Sequence, residues 1–412
     1  DAEADLDLYL QESETDDPVR GAVRSSHDPE GTERIFIARG DQKPLRTGAY
    51  YAYVIWPADR HDEPPQSSNG EALDAVPFRL RLFEIKTHVD AVLEPGVPLH
   101  ARMTAAAGSF RTYAVDVPGG APCLRVDVSD APQALTLRLR AGKPMVGPDD
   151  ADAVSRLPFG TQWLVVKPQS SPPLRAGRYY IDVVDESQLD SSFPFTIRAS
   201  FRPDPDPSLL VLPRAPAPKT ALEAALRATV EVIGDDGGGS GVIVGDRGFI
   251  LTNYHVVQDV VEGRGEIGSP LVIALPVDPR DPPHEAFHAR VVTSSADLDL
   301  ALLGVTDTLY GRPVPPDFRF PTATLGDPAT LTIGDTIYAA GYPGAGGSGS
   351  RVSVTVTRGI LAGWERRGDT LHIKTDATIN SGNSGGAALD ARFEVIGQPT
   401  ETIPDADERG RG

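Results

Sequence analysis

The sequence predicts a mainly β protein of two or three domains. Three observations predict it. A length of 412 residues allows two or three domains, each large enough to bury its own core. Short stretches that alternate apolar and polar residues are separated by turns drawn from 41 Gly and 38 Pro. A block of such stretches also occurs twice in one register, the mark of a duplicated unit.

Charge narrows the partners first. Carboxylates outnumber Lys plus Arg by 58 to 39, a net charge of −19, which repels phosphate backbones and anionic membrane surfaces and argues against nucleic acid. No uninterrupted apolar run approaches the roughly 18 residues that a membrane helix needs, so no membrane span is expected. Lone Cys123 has no internal disulfide partner and no metal-ligand spacing, and it reads as a small buried hydrophobe. The first residue is Asp1, and no basic, then apolar, then small-residue leader precedes the fold. Either a leader has been removed or the chain is a fragment, and the incomplete first repeat favours the fragment.

The repeat has an offset of 129 residues, the difference between 135 and 6. It places Leu6, Leu8 and Leu10 on Leu135, Leu137 and Leu139, and Pro44-Leu45-Arg46-Thr47-Gly48-Ala49-Tyr50-Tyr51 on Pro173-Leu174-Arg175-Ala176-Gly177-Arg178-Tyr179-Tyr180. With a shorter loop, Val76-Pro77-Phe78-Arg79-Leu80 then matches Phe193-Pro194-Phe195-Thr196-Ile197. Each block has the period of a half-buried strand, so two all-β sandwiches are expected. The second copy has two further strands, Phe110 to Val117 and Leu124 to Val128, joined by Pro118-Gly119-Gly120, and the first copy lacks them.

That pattern, Y-x-V-D-V, P-x-G, L-x-V-x-V, a leucine-alternating strand, L-x-x-G-x-Y-Y and a final P-F strand, resembles the bacterial pre-peptidase C-terminal domain. The resemblance covers 108–202 in full and 1–86 in part, and it implies β-sandwich accessory modules of a secreted protease, the first one truncated. Asp5 and Asp7 are either calcium ligands or, the commoner case, solvated strand-edge carboxylates. Residues 203–219 carry Pro203, Pro205, Pro207, Pro213, Pro216 and Pro218, a density that forbids a helix and marks an extended linker between domains. Thr220-Ala221-Leu222-Glu223 then has the capping-box pattern and opens a short helix to about Ala228.

Past Val230 the residues carry chemistry. Gly382-Asn383-Ser384-Gly385-Gly386 puts a serine among residues small enough to let the backbone turn tightly and point amide N–H groups outward. A serine hydroxyl is a poor nucleophile alone and needs a base and oxyanion donors, so in isolation this stretch is equally a plain glycine-serine turn. Gly239 to Val244 and Gly248 to Val257 read as a hairpin that delivers His255 at a strand terminus. Asp297-Leu298-Asp299-Leu300-Ala301-Leu302-Leu303 places a carboxylate at the lip of an apolar strand, where it needs a partner such as His255.

His255, Asp299 and Ser384 follow in the order of the chymotrypsin-like double β-barrel peptidases. The stretches G-S-G-V-I-V, I-L-T-N-Y-H-V-V, D-L-A-L-L, Ile333-Gly334-Asp335 through Ala340-Gly341-Tyr342-Pro343, Val354 to Gly359, and T-D-A-T-I-N-S-G-N-S-G-G resemble the HtrA, DegP-like branch. The resemblance runs from about Ala221 to Gly397 and assigns 220–412 to a trypsin-like serine peptidase domain. It implies His255 as general base and acid, Asp299 as its orienter, Ser384 as acylated nucleophile, and the backbone N–H groups of Gly382 and Ser384 as the oxyanion hole. Asp299 is preferred over Asp297 because the apolar run starts directly after it. Neutral Asn383 stands where zymogen-activated relatives carry an Asp, so no new chain terminus is needed as counter-cation. Thr378, six residues before Ser384, carries no charge and points to small or medium apolar side chains at P1.

His284-Glu285-Ala286-Phe287-His288 spells H-E-x-x-H, two zinc ligands one turn apart if it were helical. The prolines upstream and Ala289-Arg290-Val291-Val292 downstream read instead as a strand leading to Asp299, so no metal or other cofactor is expected. Two departures from the family stand out: Ala387 replaces the usual Pro, and after Gly397 the stretch to Gly412 lacks a recognisable last barrel strand or PDZ module. The expected function is a serine endopeptidase acting on unfolded or extended polypeptide, secreted or periplasmic by its accessory modules. The alternative is a surface- or polymer-binding protein with an inert, incomplete barrel. No residue names the ligand of the sandwiches.

Overall fold

The computed structural model describes residues 7–11, 22, 24–26, 51–55, 89–104, 109–145, 150–185, 192–234, 237–263, 271–343, 352–367 and 370–400. The chain divides into one unit of 1–88 with 144–151 and a second of 89–143 with 152–412. In the first, β1 (Asp7–Gln11) pairs antiparallel with both β2 (Arg24–Ser26) and β3 (Tyr51–Ile55). Tyr9 and Gln11 take the buried face of β1, and Leu8 and Leu10 the half-buried one. Leu6, the 44–50 and 76–80 blocks of the repeat, and Asp5 lie outside the described residues.

The second unit opens with two facing sheets. Its strands are β4 (Ala91–Val92), β5 (Leu99–Arg102), β6 (Phe110–Val117), β7 (Leu124–Ser129), β8 (Thr136–Ala141), β9 (Ala153–Ser155), β10 (Gln162–Val166), β11 (Gly177–Val184) and β12 (Pro194–Ser200). One sheet has the order β10-β7-β12-β5 and the other β4-β6-β11-β8-β9. The body thus takes in β4 and β5, which precede residue 108. Period-two sequences explain the packing: Phe195, Ile197 and Ala199 of β12 and Tyr179, Ile181 and Val183 of β11 face one core with Leu135, Leu137 and Leu139. Each such side chain contributes about 1.5–3 kcal/mol on burial. Cys123 is buried, and desolvation raises its thiol pKa.

Residues 203–219 hold one 3-10 turn, Pro207–Leu210, whose N-cap Asp206 accepts from the Ser208 N–H at 2.9 Å. The following helix α1 (Ala221–Ala228) starts as its capping pattern predicts: Thr220 Oγ1 accepts from the Glu223 N–H at 3.1 Å, and Glu223 reaches back to the Lys219 N–H at 2.7 Å.

Two β bodies follow. Strands β13 (Thr229–Gly234), β14 (Gly237–Gly245), β15 (Phe249–Thr252), β16 (Leu271–Leu275), β17 (His284–Ser295) and β18 (Leu300–Thr308) close into a barrel of order β13-β14-β15-β18-β17-β16. Phe287, Phe318 and Phe320 fill it with mutual ring distances of 5.0–5.2 Å. Strands β19 (Thr336–Gly341), β20 (Thr355–Arg367), β21 (Thr370–Thr375), β22 (Ala387–Leu389) and β23 (Val395–Gly397) form a sheet of order β21-β20-β19-β22-β23.

The two-sheet body is docked on the first barrel, which the composition of the linker did not suggest. Phe159, Leu157 and Trp163 pack with Ile233, Val272, Ala274, Leu309 and Tyr310 of the barrel. Glu285 on β17 accepts from the Gly160 N–H at 3.1 Å and the Thr161 hydroxyl at 3.2 Å. Arg125, paired with buried Asp127 at 2.6 Å, lies 5.7 Å above the Tyr310 ring. The Pro-rich segment follows this joint: Asp204 pairs with Arg312 at 2.7 Å, and Leu212 packs against the barrel core.

Candidate active site

The site is assembled from three turns that meet beside β14. The first follows β15. Thr252, fully buried at its end, donates through Oγ1 to the Ser240 carbonyl at 2.7 Å, and this fixes where the chain leaves the sheet. Three residues later His255 emerges, its side chain 43% exposed. The second turn joins β17 to β18 and ends on Asp299, one of three non-glycine residues with positive φ among the described residues, at 48°.

His255 and Asp299 are in contact. Nδ1 of His255 lies 2.9 and 3.0 Å from the two Asp299 carboxylate oxygens, and the His255 main-chain N–H donates to Oδ1 at 3.0 Å. A carboxylate on Nδ1 makes that nitrogen the donor and leaves Nε2 free to accept a proton. Asp297 is exposed, and among the described hydrogen bonds none joins it to His255.

The third turn carries Ser384. Its carbonyl accepts from the Ser240 N–H at 2.8 Å, and the Gly382 carbonyl accepts from the Ser240 hydroxyl at 2.7 Å. Gly385 has φ of 79°, and a Cβ there would sit 2.3 Å from both the Ser240 carbonyl and the Thr252 hydroxyl, so only glycine allows this approach. Ser240 therefore ties the serine turn to the strand end that presents His255. No hydrogen bond links Ser384 Oγ to His255 in the described residues, a contact that in unliganded sites often tightens only with substrate.

The five amides from 382 to 386 divide into two sets. Those of Asn383, Gly385 and Gly386 donate to the carbonyls of Asn380, Pro399 and Asn383 at 3.0, 3.1 and 3.0 Å. Those of Gly382 and Ser384, the two expected as oxyanion donors, have no acceptor among the described residues. Asn383 is 2% exposed, a burial that suits a neutral amide far better than an unpaired carboxylate. Thr378 is exposed, and its carbonyl accepts from the Thr357 hydroxyl at 2.7 Å.

The sequence reading missed Thr400, whose hydroxyl donates to Oδ2 of Asp299. It stands in a polar, proline-bearing stretch with no local pattern, 101 residues from its partner, so no short-range signal marks it. The H-E-x-x-H stretch lies on β17, as its flanks suggested. Its Glu285 is engaged with Gly160 and Thr161, and His288 pairs with Asp307 at 2.7 Å. Among the described residues no cluster of three or more His, Cys, Asp or Glu could hold a metal ion.

Residues 239–397 match the trypsin-like peptidase domain family. Serine endoprotease DegS of Salmonella typhimurium is 34% identical over 164 residues, 39% of this chain and 38% of its own length. Serine protease Do-like HtrA of Bacillus subtilis is 33% identical over 190 residues, 43% of this chain and 36% of its own. The solved structure of Deg5 aligns with 44% of this chain and 83% of its own, at 27% identity and a TM-score of 0.37. The chain thus spans less than two-fifths of the length of these two curated relatives. The turns that bring His255 and Asp299 together and carry Ser384 lie within the stretch that matches this family: residues 239–397 are similar to the trypsin-like peptidase domain and to the HtrA-type serine proteases.

Proposed function

We propose that the chain is a serine endopeptidase that hydrolyses unfolded or extended polypeptides through an acyl-enzyme on Ser384. The observation that carries the proposal is the contact of His255 Nδ1 with the Asp299 carboxylate at 2.9 Å, on a turn tied to the one bearing Ser384.

In this reading Ser384 Oγ attacks the scissile carbonyl carbon while Nε2 of His255 takes the hydroxyl proton. Asp299 keeps the imidazole in one tautomer and stabilises the imidazolium that forms. Negative charge develops on the former carbonyl oxygen, facing the open N–H groups of Gly382 and Ser384, and each such donor is worth about 3–4 kcal/mol of transition-state stabilisation. Collapse breaks the C–N bond, and the imidazolium proton goes to the leaving amine. Water then attacks the ester, giving its proton to Nε2, and the Ser384 hydroxyl and a free carboxylate are released. Uncharged Thr378 beside this turn supports small or medium apolar side chains at P1. The two-sheet body acts as an accessory module of pre-peptidase type, which supports a secreted or periplasmic location. No helix among the described residues is long and apolar enough to cross a membrane.

The test is fluorophosphonate labelling of the wild type beside Ser384→Ala and His255→Ala, with a chelator control. Label on the wild type alone, indifferent to chelator, is expected. A folded wild type that takes no label would end this reading, and proteolysis abolished by chelator would replace it with a metal mechanism.

A further inference from the structure

We infer that Asn253 is a positioning residue for this site, a clamp that holds the main chain of Asp299 in its left-handed conformation and so aims the carboxylate at His255. The inference deepens the peptidase reading and rests on it for the role of Asp299.

Asn253 is 2% exposed and sits in the turn after β15, two residues before His255. Its Nδ2 crosses to the next loop and donates to the main-chain carbonyl of Asp299 at 2.8 Å. That carbonyl belongs to a residue at φ 48°, a conformation L-residues rarely hold unless surrounding contacts impose it. From it the Asp299 side chain turns back to meet both the main-chain N–H and Nδ1 of His255. One short turn therefore grips Asp299 at two points, its carbonyl through Asn253 and its carboxylate through His255. The Oδ1 of Asn253 is buried with no partner among the described residues. A buried amide with half its capacity unused is unfavourable for stability alone, which points to retention for the one bond it makes.

The hydroxyl of Thr400 fixes the far carboxylate oxygen but not the main chain. Without Asn253 the main chain of Asp299 keeps the turn bond from its N–H to the Ala296 carbonyl at 3.1 Å but its carbonyl loses its anchor, and the carboxylate then swings away from Nδ1. The hydrogen bond between Nδ1 of His255 and that carboxylate then weakens, and the imidazole loses its fixed orientation.

The experiment uses the full chain. The downfield Nδ1 proton resonance of His255 is recorded by NMR in resting wild type and in Asn253→Ala, and steady-state peptide hydrolysis is measured on both. Expected in N253A are a weakened Nδ1 resonance and kcat down by about 10–100-fold with KM changed less than about twofold. Unchanged resonance and kcat would overturn the clamp and leave the peptidase reading intact. Failure of the wild type to take a fluorophosphonate removes the peptidase reading, while the Nδ1 resonance still decides whether Asn253 positions Asp299. If N253A does not fold, Asn253→Gln, whose longer side chain keeps an amide but cannot reach the same carbonyl in register, is read by the same resonance with the same two outcomes.

Discussion

The main-chain N–H of Ser240 donates to the carbonyl of Ser384 at 2.8 Å, and the Ser240 hydroxyl bridges the Gly382 carbonyl and the Tyr342 N–H at 2.7 and 2.9 Å. One fully buried serine on β14 thus sets the height of the whole Gly382–Gly386 turn. Ser240→Ala leaves a buried carbonyl and a buried N–H without partners, and a loss of about 1–3 kcal/mol in urea unfolding is expected. Fluorophosphonate labelling should slow in parallel, because the turn that carries Ser384 loses its fixed reference.

Gly385→Ala is expected to be far more severe. The added Cβ meets the Ser240 carbonyl and the Thr252 hydroxyl at 2.3 Å and forces φ away from 79°. Labelling should fall below detection, and a labelled, normally stable G385A would show that the turn has a second arrangement.

Thr400→Val keeps the volume and removes the hydroxyl that reaches Asp299. Steady-state hydrolysis should show kcat reduced about tenfold at unchanged KM, since the carboxylate keeps its bonds to His255 and loses one lateral support. Thr400→Ser should restore most of the rate.

The joint between the two-sheet body and the first barrel should make them unfold together. Phe159, 3% exposed, packs with Ile233, Val272 and Leu309, and Phe159→Ala should cost about 3–5 kcal/mol. Calorimetry of the wild type is expected to show one transition for these bodies, and of F159A two.

Asp182, on β11 of the two-sheet body, is 6% exposed, and desolvation raises its pKa from 3.8 to about 6 against the opposing hydrogen bond from Thr112. The folded value lies above the unfolded one, so this group's contribution is complete below about pH 4 and is lost as pH rises through 6. Asp182→Asn still accepts from Thr112 and never ionises. It should stabilise the body at pH 7 by about 2–3 kcal/mol, with no gain at pH 4, read by thermal melts at both pH values.

Much of this site is legible in the chain because its parts are short and local. Gly382 to Gly386, Thr252 to His255 and Asp299 before an apolar strand each obey a turn or burial rule that works over a few residues. Period-two alternation likewise announces β11 and β12. H-E-x-x-H shows the limit of such reading, since the same five letters ligate metal on a helix and here, on β17, send Glu285 to the neighbouring body and His288 to Asp307.

By itself the sequence determined a mainly β chain, the helix at Ala221–Ala228, the identity of the three residues expected to act together, and the preference for Asp299 over Asp297. The tertiary structure alone decided that Ser240 spans the serine turn, that Asn253 and Thr400 hold Asp299 from two further directions, and that Glu285 and Phe159 lock the two-sheet body to the barrel. The physical reason is range. Periodicity and turn chemistry act over a few neighbouring residues, whereas a hydrogen bond between residues 46, 101 or 142 apart leaves no trace in the order of the chain until the strands bring its ends together.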